Sequence, residues 1–325
     1  MKKSKSKAMD KRRKRGQRKL RPLIITALVL FLVGDVALVG YALRGDDSVT
    51  GVDADIAATT EPVAPSPSTD PADVETATPL SPLTAQSTYL AVVDGSTAYR
   101  ASAGTCTPST TAALEKSIDG GQTWNSTPVF TGLSSVFRLG AMSETEVFLA
   151  GLDGKDCTAT LATSYTSGGD FVQGPERLTG AWYVNPAAPA VVHSPTGDVA
   201  APCDVVSQFA SIDGSNAAVL CADRNLHQTT DGGRTWSGPT SLSGAVALGE
   251  NGTEYVFAST GSTACAGLEI SSITVAAVTA TALGCATTVT DPAPATAISG
   301  QGQDIWVDAA GQIVKSADGG STWAP

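Results

Sequence analysis

The side chains able to do chemistry are sparse in this sequence. His193 and His227 are the only histidines, and no G-x-S-x-G turn is present, so a Ser/His/Asp nucleophile set has no seat. Glu144 and Glu146 have the spacing of paired carboxylates, but they fall in a predicted turn where simple exposure accounts for them. No phosphate-cradling loop of the Walker type occurs. Six cysteines are present, Cys106, Cys157, Cys203, Cys221, Cys265 and Cys285, without a C-x-x-C pair. With two histidines as the only imidazoles, they argue against a metal centre, and no metal or other cofactor is expected.

The elements that must position these groups follow from charge and hydropathy. Twelve of the 21 Lys and Arg lie within residues 1–21, whereas from Arg44 onward nine basic side chains face 29 acidic ones. That acidic balance argues against nucleic acid as the partner of the larger part. Residues 22–43 form a mostly apolar run that as a helix would reach about 33 Å, enough for one bilayer crossing. Asp35 inside this run is read as carried by its apolar neighbours. The basic block precedes the span and Asp46 and Asp47 follow it, which predicts a cytoplasmic tail at 1–21 and export of everything after the span. The run is too long for the core of a cleaved signal. Residues 44–87 are rich in Pro, Ala and Thr with almost no large apolar side chain, and read as an extended stalk. The expected location is therefore the cell membrane, single-pass, with an extracellular domain over 88–325.

That outer domain carries an internal repeat. Ser117-Ile118-Asp119-Gly120-Gly121-Gln122-Thr123-Trp124 recurs at Thr229–Trp236 and at Ser316–Trp323, with Asp231 and Asp318 in the acidic place. A worn copy spans Ser164–Phe171, where Thr166 replaces the acid and Phe171 the indole. An Asp that accepts backbone N–H bonds, two Gly free to take positive φ, and a Trp opening the next strand describe a strand–turn–strand unit.

These octets resemble the Asp-box, or BNR, repeat of β-propellers, a superfamily that includes sialidases, sortilin-type receptor domains and photosystem II assembly factors. The resemblance implies an all-β propeller. It also implies that Asp119, Asp231 and Asp318, with Trp124, Trp236 and Trp323, are structural groups in turns between third and fourth strands, opposite the ligand face. At about 40–45 residues per four-stranded blade, the domain holds about six blades, five to seven fitting its length. They start near Tyr89, Val136, Gly180, Asp204, Val246 and Ala295. Because the chain ends just past Trp323, the outer strand of the last blade is expected from residues 78–87, which would close the ring.

Six cysteines in an exported domain predict three disulfides, for which sequence alone allows 15 pairings. The blade assignment puts all six on the face opposite the octets and favours Cys106–Cys157, Cys203–Cys221 and Cys265–Cys285. The same face is expected to carry Asp153, Lys155, Asp156, Asp204, Asp223, Arg224, Asp291 and Asp308, an acidic surface suited to a cationic or basic partner.

The sialidase resemblance implies three arginines around a carboxylate. The outer domain has Arg100, Arg138, Arg177, Arg224 and Arg234, the last inside an octet. Arg100, Arg138 and Arg224 are the weak catalytic candidates, and nothing in the sequence brings them together. Two functions stand side by side. The leading one is a non-catalytic binding or assembly module for an extracellular protein or glycan; the alternative is a membrane-anchored, sialidase-like exo-glycosidase with a diverged site. A purely structural module is the third reading.

Overall fold

The computed structural model describes residues 81–107, 110, 112–127, 132–185, 187–289 and 295–325. The expected tail, membrane span and nearly all of the stalk lie outside them, as does Asp291. Among the described residues no helix is long and apolar enough to cross a membrane.

The described chain is all β apart from one 3-10 turn. Blade one holds β1 (Thr88–Val92), β2 (Ala98–Ser102), β3 (Ala113–Ser117) and β4 (Asn125–Ser126). Blade two holds β5 (Leu133–Ala141), β6 (Val147–Asp153), β7 (Ala159–Ser164) and β8 (Val172–Gly174). Blade three has three strands, β9 (Tyr183–Val184), β10 (Val191–Ser194) and β11 (Gly197–Ala200). Blade four holds β12 (Val206–Ser211), β13 (Ala217–Cys221), β14 (Asn225–Thr229) and β15 (Thr240–Ser241). Blade five holds β16 (Ala245–Glu250), β17 (Glu254–Ser259), β18 (Leu268–Thr274) and β19 (Thr281–Ala286). Blade six holds β20 (Thr296–Gln301), β21 (Asp304–Ala309) and β22 (Gln312–Ser316). Every sheet is a meander of consecutive antiparallel strands.

Six sheets become a ring because each buries both faces against its neighbours. Second strands such as β13, AAVLC, and β21, DIWVDA, are buried almost throughout. A strand covered on both faces reads as a continuous small or apolar run, without alternation. The apolar side chains fall into six clusters, one for each pair of adjacent blades. The last of these pairs is blade six with blade one, where Trp306 packs on Leu90, Val92 and Ala98. The molecule is a closed six-bladed β-propeller.

Closure differs from the expected exchange of a strand. Lys315 on β22 pairs with Ala324, the two amides and carbonyls exchanging bonds of 2.7 and 2.9 Å, so blade six makes its own outer edge from the residues after Trp323. Residues 81–87 go elsewhere. Leu83 donates its amide to Ala222 and Gln86 to Ser207, both on blade four, while the Ser207 hydroxyl donates to the Leu83 carbonyl. Blade four lies across a six-membered ring from blade one, so this segment straps across one end of the central channel before entering β1. Two tight backbone bonds at Ala324 satisfy the edge locally, which leaves the upstream segment free to lie elsewhere.

Blade three departs from the pattern at its inner edge. Thr196, in the β10–β11 turn, bonds the Gly232 carbonyl in the octet turn of blade four, whereas Pro189, before β10, accepts from Val206 at the start of β12. Those contacts give β9, β10 and β11 the directions of second, third and fourth strands. Where the inner strand should run, Pro175–Leu178 forms a 3-10 turn and 179–182 continue irregularly. Proline opens this turn naturally but cannot donate to a sheet ladder.

Candidate binding channel

Antiparallel meanders send first-to-second and third-to-fourth turns to one face and the remaining connections to the other. The three octets sit on the first of these faces as third-to-fourth turns. Asp119 accepts the Thr123 amide at 2.9 Å and the Ser117 hydroxyl at 2.9 Å, and Ser117 Oγ accepts the Gly121 amide. Asp231 repeats this with Thr235, Thr229 and Gly233, and Asp318 with Thr322, Ser316 and Gly320. Hydrogen bonds from the threonine that closes each turn hold the three carboxyls at about 2, below their ordinary 3.8.

The paired glycines have φ of 77° and 86° in the first octet, where a side chain would strain the backbone. The second glycine also lies so close to the preceding blade that a Cβ on Gly233 would come within 2.8 Å of Val199. The worn copy keeps the geometry with weaker parts. Asp170 donates its amide to the Thr166 hydroxyl, and Ser167 takes φ of 58° where the intact octets have glycine. Trp124, Trp236 and Trp323 are each half-buried against an inter-blade cluster. The Asp, paired Gly and Trp of each intact octet are thus engaged in the turn or the blade packing.

The disulfides are Cys106–Cys157, between blades one and two, Cys203–Cys221 at blade four, and Cys265–Cys285 within blade five. All six cysteines lie toward the face opposite the octets.

The three candidate arginines do not converge. Arg100, on β2, bonds Glu115 at 2.7 Å, approaches buried Asp308 of blade six at 3.6 Å, and stacks its guanidinium 4.4 Å from the Trp124 ring. It fastens the seam of the ring. Asp308 is 2% exposed, so it does not belong to the acidic surface expected of it. Burial pushes its carboxyl up, against the Gly311 amide and Arg100, which favour the charged form. Arg224, at φ 63°, donates to the Ala245 carbonyl and to the Ser81 carbonyl of the strap. Only Arg138 faces the centre. Both histidines are engaged as well: His193 with Asp198 and stacked on Tyr183, His227 with the Ser237 carbonyl. Among the described residues no group of three His, Cys, Asp or Glu side chains is placed to hold a metal ion.

The channel holds a cavity of roughly 810 Å³, walled by inner strands of five blades and by 179–182 in place of the sixth. At the disulfide face it ends against Gln86 and Tyr89 of the strap and β1. At the octet face it reaches Met142, Asp213, Gly214 and Gly252, in turns between first and second strands, and Met142 is 72% exposed. The mouth is therefore on the octet face, the reverse of the expected ligand face.

A bulge aims Arg138 into this space. The β5–β6 register slips between Val136 and Arg138, so Val136 and Leu139 both enter the cluster with blade one while Phe137 faces blade three. Arg138 then reaches across the place of the absent strand to blade four, donating from Nη2 to Ser211 Oγ at 2.9 Å over the Phe209 ring. Burial lowers its pKa and nearby Glu250 raises it, but no carboxylate among the described residues comes within ion-pair distance. Arg177 stands at the rim, donating to the Tyr165 hydroxyl at 3.4 Å, its buried Nε without a partner. The sequence offered no sign of either placement, since a bulge and a missing strand leave no motif.

A β-propeller with a central channel of mixed polar and apolar lining is the class that fold and cavity define. Against known proteins, no family model and no curated sequence matches this chain. Among solved structures it is similar to "YCF48 bound to D1 peptide", with 15% identity over 75% of this chain and 69% of that one, TM-score 0.27. It is also similar to YCF48 from Cyanidioschyzon merolae, with 14% identity over 72% and 70%, TM-score 0.30. A third is the β-propeller domain of the Trilobed protease from Pyrococcus furiosus, described as having an open velcro topology, with 8% identity over 69% and 80%, TM-score 0.35. The fold assignment rests on the six sheets themselves.

Proposed function

We propose that this chain is a membrane-anchored, extracellular binding module that takes a segment of a partner protein into the channel mouth, without catalysing a reaction on it. The anchor is residues 22–43 and the octets are Asp-box turns of the superfamily they resemble. The observation that carries the binding reading is the cavity. Its volume lies in the range of ligand sites, its walls mix aromatic and polar groups, and the chain's own strap borders one end through Gln86. A rigid ring presents these walls preorganised, which lowers the entropy cost of binding. The glycosidase reading loses its premise, because Arg100, Arg138 and Arg224 serve three separate places.

The test is site-specific photocrosslinking in the native host with the full-length chain. A photoreactive phenylalanine replaces Met142 at the mouth or Val278 on an outer turn, both 72% exposed. A discrete protein adduct from position 142, absent at 278, supports the reading; no adduct at 142, or equal adducts at both, sinks it. Protease added to intact cells should remove the propeller, and its full protection would overturn the topology.

A further inference from the structure

Arg138 is a half-buried guanidinium whose described partners are one hydroxyl and one aromatic face. Its side chain forms part of the channel wall, and Nη2 is the donor held by Ser211. Guanidinium groups present five donors in a planar fork that fits a carboxylate, and such pairs strengthen away from water. Among the carboxylates of the same wall, Asp213 is occupied by its own turn, accepting the Ser215 and Asn216 amides and the Asn216 side chain. Glu250 accepts the Gly252 amide, and burial favours its neutral form. Glu146 completes the charged lining, with Arg177 on the basic side. The two guanidiniums thus face a wall whose acids are largely occupied or partly neutralised.

Resting on the binding reading above, we infer that the channel recognises a carboxylate joined to an apolar body, with Arg138 taking the carboxylate and Phe209, Phe137 and Trp182 taking the body. The void left by the inner strand of blade three is where that body lies, because those three rings border it. Tyr165 and Arg177 at the rim select the approaching chain. The carboxylate source is a polypeptide C-terminus or a small organic acid; the two share this chemistry.

Isothermal titration of the purified full-length chain distinguishes them. The probes are hydrocinnamate against hydrocinnamide, and an acetylated Ala-Leu-Phe peptide with a free C-terminus against the same peptide amidated. Each acid is expected to bind about tenfold or more tightly than its amide, as a charge-assisted contact requires. Arg138→Gln should abolish that preference. Ser211→Ala, which removes only the strut across the gap, should retain it, and a merely structural Arg138 would instead make the two variants alike. Binding of hydrocinnamate without the peptide keeps the carboxylate site and refutes the protein-segment function. Equal binding of acid and amide peptides keeps that function and overturns this inference. No binding of either acid, or equal loss in both variants, overturns it outright.

Discussion

Replacing Arg100 by Met tests the seam that closes this ring without an exchanged strand. Arg100 Nη1 stands 3.6 Å from Asp308, whose side chain is 2% exposed. At an effective dielectric of about 20, opposite charges at that spacing attract by on the order of 4 kcal/mol before desolvation is counted. Removing one member of a buried pair costs about 3–5 kcal/mol because the other stays charged and unpaired. Two features reduce that figure here: the Arg100 side chain is 22% exposed, and Asp308 keeps the Gly311 amide at 2.6 Å. A loss of about 2–3 kcal/mol is expected, a drop in Tm of roughly 4–12 °C for a domain of this size. Thermal and urea unfolding of Arg100→Met, Asp308→Asn and the double variant measures it. With Asp308 neutral, Arg100 keeps only its part-exposed Glu115 pair and the Trp124 stack, so the double variant should melt within about 1–2 kcal/mol of Asp308→Asn alone. Glu115→Gln should cost under about 1 kcal/mol, since that side chain is 28% exposed. Losses that simply add, or a change below about 0.5 kcal/mol for Arg100→Met, would refute the seam argument.

Three further outcomes are expected. Asp119, Asp231 and Asp318 are held at about 2 against an ordinary 3.8, so their contribution is present above pH 3.8 and is lost as pH falls through 2. Glu250 and Asp308 are shifted upward and act with the opposite sign near their ordinary range. Melting temperatures recorded between those limits should therefore fall with acid and flatten when the three octet acids are changed to Asn; an unchanged slope in the triple variant contradicts the turn geometry. Replacing Cys203 and Cys221 by Ala should cost about 3 kcal/mol, as expected for a cross-link spanning 18 residues, read as a lower denaturant midpoint. Starting the chain at Ser87 removes the four hydrogen bonds that tie the strap to blade four and should cost about 4 kcal/mol while the ring stays folded; wholesale loss of β-sheet circular dichroism would mean that the strap closes the ring after all.

The parts of this molecule that were legible in sequence are those set by local chemistry. An Asp with a Thr four positions on and two glycines between makes a turn wherever it occurs, so three octets located three blades and their outer edges. The cysteines followed, because knowing which loops share a face leaves few sensible partners. The channel was different. Arg138 sits in VFRLG, which reads as ordinary β5 until the register slip at Phe137 turns it inward, and that slip depends on how β6 pairs. Pro175 opens the 3-10 turn that stands in for the inner strand of blade three, and one proline does not announce that a whole strand will be missing. Asp308 looked like a loop charge because its partner lies more than two hundred residues away on β2. The strap was misplaced for a related reason: residues 78–87 could have served as the outer edge, but Ala324 already occupied it.

These corrections have a common consequence for which face can meet a partner. The chain enters the ring on the disulfide face, where Ser81 is gripped by Arg224 and Leu83 lies against the cluster between blades four and five. The three disulfides brace the loops of that same face, and the strap ends the channel there. The three cross-links all lie at this end, and the octet face carries none of them. The opposite mouth, with Met142 and Tyr165 exposed at its rim, is free of both the attachment and the cross-links. A face already committed to strap and disulfides has little channel surface left to offer, so the division of labour between the two ends follows from where the chain comes in.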